Sequence, residues 1–188
     1  MDRISLTGFV DFVLEAGAGG DGDPLKERKG DSSPEFYQSL RDAIVAMHRE
    51  DLLPVTLDQV VSREPSEKKR RVFGRVVEGY RRFLATGSMK WFEPPRTRYR
   101  MGAHEVDVNP ELGLAIDETP HVIKMYFRGE PLTPRRTSVM LSLLAGRLGR
   151  ICPGHVFAVL DVRHGKLHAV STPEERFGIL RGATPEGR

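Results

Sequence analysis

Between His104 and Phe127 the chain reads HEVDVNPELGLAIDETPHVIKMYF, three short apolar runs separated by proline-containing breaks. Such runs are too short for helices and commit the segment to antiparallel strands, with proline at a turn where no ladder donor is needed. Side chains alternate along a strand, so each run has two faces. Leu112, Leu114 and Ile116 share one face with Ile123, Met125 and Phe127, and that face is core. The other holds Gly113, Ala115, Asp117, Lys124 and Tyr126. Small and ionisable residues together are unusual on a strand buried on both sides, and they leave space for a ligand.

A hairpin tip at Thr119 and Pro120 sets Asp117 opposite Val122, Ala115 opposite Lys124 and Gly113 opposite Tyr126. The preceding run presents Glu105, Asp107 and Asn109 on one side, Val106 and Val108 on the other. A three-residue turn at Pro110, Glu111 and Leu112 pairs Val108 with Leu114, which aligns Asp107, Ala115 and Lys124 across three strands. A one-residue slip brings Glu111 to this site in place of Asp107.

Helices surround the meander in sequence. Ser5 to Ala16 carries Leu6, Phe9, Val10, Val13 and Leu14 at helical spacing and stops at Gly17. The glycine-rich stretch 17–33 reads as a loop. The next helix takes Ser33 as N-cap and Pro34 as first residue, with Tyr37, Leu40, Ile44 and Met47 as its apolar stripe. Thr56 and Gln59 resemble a capping box opening a short helix through Val60 and Val61. Residues 66–87 form a longer helix that packs through Val72, Phe73, Val76, Tyr80, Phe83 and Leu84. Thr133 and Pro134 open another, with Val139, Met140, Leu143, Leu144 and Leu148 inward. A buried strand, a turn at His164 and Gly165, and a final strand follow. The expectation is an α+β fold. It has N-terminal helices over 1–65, a core over 66–171 built as a mostly antiparallel meander with a crossover helix, and a tail over 172–188.

The formal net charge of +3 hides a segregation: residues 67–100 hold 11 Lys or Arg against 3 acids. Lys68, Lys69, Arg70, Arg71, Arg75 and Arg82 decorate the long helix, and Arg96, Arg98 and Arg100 alternate in the following strand. These nine are either a solvated surface or a phosphate-binding face for DNA or RNA. A protein partner engaging the N-terminal helices is the other option. No apolar run approaches the ~20 residues that span a bilayer. The first residues lack a basic leader with an apolar stretch, so a cytoplasmic protein without membrane contact is expected. The single cysteine, Cys152, reads as a structural thiol and excludes an internal disulfide. The histidines lack HExxH spacing, which argues against a zinc enzyme.

The order of elements from 66 to 163, with acids and a lysine on one sheet face, resembles the PD-(D/E)XK nuclease superfamily and its αβββαβ core. In that family an acid on the second strand precedes an acid, any residue and a lysine on the third. The resemblance makes Lys124 the lysine and takes the first acid from the Asn109, Pro110, Glu111 segment or from Asp117. Val122 stands where the family has its second acid, with Asp107 as a substitute from the neighbouring strand. It implies a restriction-endonuclease-like fold, Lys124, Asp117 and Glu111 as catalytic residues, and Asp107, Glu111 and Asp117 as ligands of Mg²⁺ or Mn²⁺. The metal would stabilise charge and orient a water for attack on phosphate. A structural role competes: Asp107 or Asp117 pairing with Lys124 across the sheet contributes roughly 0.2 to 1 kcal/mol without any chemistry.

Overall fold

A computed structural model of the chain describes residues 2–16, 33, 35–101 and 104–170. The expected loop 17–33, apart from Ser33, and the tail 172–188 lie outside the described residues, as does Pro34. The architecture is α+β, with five α-helices and two sheets among the described residues. In chain order the elements are β1 (Asp2–Ser5), α1 (Leu6–Ala16), a single 3-10 turn (Glu35–Tyr37), α2 (Gln38–Arg49), α3 (Thr56–Arg63) and α4 (Glu67–Leu84). They continue through β2 (Met89–Phe92), β3 (Thr97–Met101), β4 (His104–Val108), β5 (Leu112–Ile116), β6 (Thr119–Tyr126), α5 (Pro134–Leu148), β7 (Val156–Asp161) and β8 (Lys166–Val170).

The helix signals act where polar side chains meet free backbone donors. Ser5, Ser66 and Thr133 each accept from the backbone N–H three residues on, at 3.1 to 3.3 Å, and so open α1, α4 and α5. Ser33 accepts from Phe36 N at 3.3 Å, but the chain passes through the 3-10 turn before α2 begins at Gln38. The expected capping box at Thr56 and Gln59 does not form. Thr56 instead donates its hydroxyl to Leu53 O at 2.8 Å, inside a turn that starts at Leu53.

The larger sheet runs β2-β5-β6-β7-β8, with β6 and β7 parallel across the α5 crossover and the other pairs antiparallel. The smaller runs β1-β4-β3, with β1 parallel to β4. The expected three-strand meander is therefore corrected: β4 leaves the hairpin at Asn109 and pairs with β1 and β3, while β2 takes its place beside β5. Neither β1 nor β2 is anticipated from sequence. Each is four residues long, too short for alternation to separate it from a loop.

Two cores sit on opposite faces of the large sheet. One packs Tyr37 of the 3-10 turn, Leu40 and Ile44 of α2 and Phe73, Val76 and Tyr80 of α4 against Leu112, Leu114, Ile123 and Met125. The helices of the first 65 residues thus share a core with the sheet. The other packs Leu6 and Val10 of α1 and Met140, Leu144 and Leu148 of α5 against Val122, Tyr126, Phe157 and Val159. Each fully buried aliphatic or aromatic side chain contributes about 1.5 to 3 kcal/mol of transfer free energy. Cys152 is buried here with its thiol 3.2 Å from Leu148 O, as expected of a structural residue. Gly79 lets α4 approach the turn after β7, because a Cβ there would lie 2.2 Å from Arg163 O. No helix among the described residues is long and apolar enough to cross a membrane.

Candidate functional site

Asp117 and Glu118, at φ 46° and 69°, form the two-residue tip of the β5–β6 hairpin, and Ile116 pairs with Thr119. Positive φ at both central positions is the signature of a type I′ turn, whose twist matches that of paired strands. The tip expected at Thr119 and Pro120 is corrected by two residues. Pro120 lies in β6 opposite Ala115, before the β7 pairing begins at His121, so its missing N–H breaks no ladder. An even slip preserves the faces: Leu112, Leu114 and Ile123 stay in the core, but Ala115 loses Lys124 as its neighbour. The residue now opposite Lys124, one step before β5, is Glu111.

Lys124 is 8% exposed, an uncommon depth for an ammonium group. Its Nζ donates to Glu111 Oε1 at 2.5 Å and to Asn109 O at 3.1 Å. Glu111 Oε2 accepts from Met125 N at 2.8 Å, replacing the ladder acceptor that β5 no longer supplies. Arg41 Nε approaches Oε1 at 3.8 Å, with its guanidinium 5.3 Å from the Phe127 ring centre. One carboxylate therefore fastens the end of β5 to β6 and α2.

The remaining predicted acids do not join this pair. Asp107 belongs to the smaller sheet, opposite Arg98, and its Oδ1 is 2.9 Å from Arg98 Nε. Asp117 sits at the hairpin tip, where Oδ1 accepts from Ser88 N at 3.0 Å and Ser88 Oγ at 3.2 Å. The metal-ligand set of Asp107, Glu111 and Asp117 is thus divided among three places. Among the described residues no group of three or more metal-ligating side chains gathers. Glu111 alone, with both oxygens engaged, does not make a site for a divalent ion that needs several oxygen donors.

The basic residues divide as well. Arg71 pairs with Glu67 at 2.5 Å, Lys69 with Glu64 at 3.1 Å, Arg82 with Glu78 at 3.9 Å and Arg96 with Glu93 at 3.6 Å. Burial tends to raise the Glu64 carboxyl, but Lys69, the Ser66 N–H and nearby Arg70 hold it below its usual value. Arg100 lies opposite Glu105 in the smaller sheet. Lys68 and Arg75, exposed and seven residues apart on α4, lie in no ion pair with a described residue. The arginines of β3 do not extend the α4 face as the sequence implied. They sit in the small sheet on the α1 and α5 side, whereas α4 covers the opposite face of the large sheet.

A second charged cluster escapes sequence reasoning. Asp11, 3% exposed, receives Arg128 through both of its oxygens and Arg136 through one. Burial works to raise the Asp11 carboxyl, but the two guanidiniums overcome it and hold the pKa below the carboxylate norm. Arg128 lies 5.9 Å from the Tyr126 ring centre. The Tyr126 phenol is raised by burial, opposed by Arg136 and Arg128 and reinforced by Asp161 and Asp11. Asp161, 2% exposed, accepts from Leu132 N at 3.2 Å and lies 2.7 Å from His164 Nδ1. The one sequence signal for this cluster is Asp11 itself, set between Val10 and Phe12 in a helix whose other charge is Glu15. Under α2, His48 Nε2 meets the hydroxyl of buried Tyr80, and burial lowers the His48 pKa to about 4.

No family model, no curated protein and no solved structure matches the chain.

Proposed function

We propose that the chain is a nucleic-acid-associated protein built on a nuclease-like core whose metal-dependent site is degenerate, so that it binds polynucleotide without cleaving it. The supporting observation is Lys124, buried on the third large-sheet strand in chain order and facing a single acid, Glu111. From α4 through β2, β5, β6, α5 and β7 the large-sheet elements run αβββαβ, with β3 and β4 inserted between the first and second strands. That order is the one the PD-(D/E)XK resemblance implies. Val122, where the family has an acid, is fully buried and closes off the second carboxylate. Lys124 then acts as a structural cation held by Glu111 and Asn109 O. Affinity for phosphate is carried outside this pair by the α4 surface, where Lys68 and Arg75 stay open to solvent.

The test is incubation of the purified protein with end-labelled single- and double-stranded DNA and RNA, with Mg²⁺ or Mn²⁺, alongside a binding titration at several salt concentrations. Salt-sensitive binding with intact polymer is the expected result. Metal-dependent cleavage that disappears in Lys124→Ala would show the site to be active. Absence of binding at physiological salt would remove the nucleic-acid assignment altogether.

A further inference from the structure

β2 is the outer strand of the large sheet, and no strand among the described residues lies beyond it. Asp117 N donates to Ser88 O at 3.1 Å, so Ser88 and Asp117 form a hydrogen-bonded pair. Antiparallel pairs alternate, so Lys90 and Phe92 direct their backbone groups at Ala115 and Gly113. Met89 and Trp91 turn their N–H and C=O outward, to the open edge. Next to β2, the last turn of α2 and the α2–α3 loop complete a cleft of about 520 Å³ lined in part by Met47, His48, Arg49, Leu52, Met89 and Trp91. The same loop exposes Leu52 at 41%, Leu53 at 72% and Val55 at 53%. Three large apolar side chains in four residues contribute little to the core from there.

Charge selects the occupant. Arg49 and Lys90 line the cleft and are exposed, with Asp51 as the one acid among its lining residues. The Arg49 guanidinium stands 5.7 Å from the Trp91 ring centre, which holds a cation on the rim beside an aromatic wall. A helix end and a free strand edge flanking a cleft of mixed apolar and charged lining suit an extended peptide, whose backbone pairs with the edge while alternate side chains enter the cleft. We infer that this cleft takes an extended segment of a partner protein, apolar and acidic in alternation, as an added strand beside β2. Its backbone meets Met89 and Trp91, its apolar side chains enter on the Trp91 face against Met47 and Leu52 with Arg49 at the rim, and its acids fall on the opposite face beside Lys90. The inference is independent of nucleic-acid binding, since it draws on neither Lys124 nor the open face of α4.

The probe is a terminally blocked peptide of alternating glutamate and valine, titrated into the ¹⁵N-labelled full chain with a lysine–valine counterpart as control. Saturable shifts confined to residues 47–54 and 88–92, with slowed exchange of the Met89 and Trp91 amides, are the expected result. The lysine peptide binds at least about tenfold more weakly. Arg49→Glu combined with Lys90→Glu inverts that preference, both side chains being at the surface. Met89→Pro removes an outward donor without touching the β5 ladder and abolishes binding. Failure of both peptides to saturate, or equal binding of the two, would overturn the inference. So would concentration-dependent self-association of the free chain through β2, which would make the edge a contact between two copies.

Discussion

The Lys124 and Glu111 side chains are 10% and 13% exposed, so their ion pair is sheltered from most solvent screening. Removing one member of such a pair leaves a desolvated charge, which is more costly than replacing both by neutral groups. Glu111→Gln and Lys124→Met should each destabilise the fold. The double variant should lose at least about 1 kcal/mol less than the sum of the two single losses. Urea unfolding of the four proteins measures this; additive losses would show that the pair is not an energetic unit. His48 gives a pH dependence of definite sign. Burial lowers its pKa from 6.5 to about 4, so the folded state holds the ring neutral beside the Tyr80 hydroxyl. Between those values the unfolded chain binds the extra proton. The His48 contribution is fully present above pH 6.5 and is lost as the pH falls towards 4. Melting temperature should drop through that window, and His48→Gln should flatten the drop; an unchanged slope would move its cause elsewhere.

Two glycines of α4, five residues apart, separate helix propensity from packing. Nothing lies within 4 Å of a Cβ built at Gly74, whereas at Gly79 it would meet Val162 O at 2.3 Å and Arg163 O at 2.2 Å. Gly74→Ala should therefore stabilise the protein by about 0.5 to 1 kcal/mol. Gly79→Ala should destabilise it by roughly 1 to 3 kcal/mol, because backbone atoms cannot rotate away. Chemical denaturation checks both, and equal effects would contradict the close approach. The same helix was largely legible in the sequence, where Phe73, Val76, Tyr80 and Phe83 marked its buried face; its cap at Ser66 was not. α5 was equally plain from Thr133 and Pro134. The hairpin was legible in its faces but not in its register. Asp-Glu is an infrequent choice for a type I′ turn, and the Thr-Pro pair beside it carried the stronger turn signal. Partner choice was not legible at all. β2 takes the edge of β5 while β4 pairs with β1, whose Asp2 lies opposite His104, a partner far along the chain that no local pattern reveals. Asp11 illustrates the same limit, since its two arginines lie more than a hundred positions away.

The molecule as a whole places its two cores on opposite faces of one sheet, which separates the buried Lys124 from the outer surface of α4. Net charge alone therefore says little about which cations meet a polyanion. A cation already held by a carboxylate must exchange one partner for another, whereas an unpaired one releases only its counterions when it meets phosphate. Arg71 and Arg81 are held by Glu67 and Asp58 at 2.5 Å. Lys68 and Arg75 are exposed, without an ion pair to any described residue, and lie about two helical turns apart on one side of α4. If α4 carries the contact, Lys68→Ala with Arg75→Ala should flatten the slope of log affinity against log salt by roughly 1 to 2, close to 0.9 for each duplex phosphate lost. Arg71→Ala with Arg81→Ala removes the same formal charge but should change the slope by less than half as much. Lys124→Ala should leave it unaltered in any variant that keeps its fold by circular dichroism. Fluorescence anisotropy on a short duplex over a series of salt concentrations measures all three. Equal slopes for the two double variants would mean that the protein presents a diffuse positive field instead of a contact surface on α4.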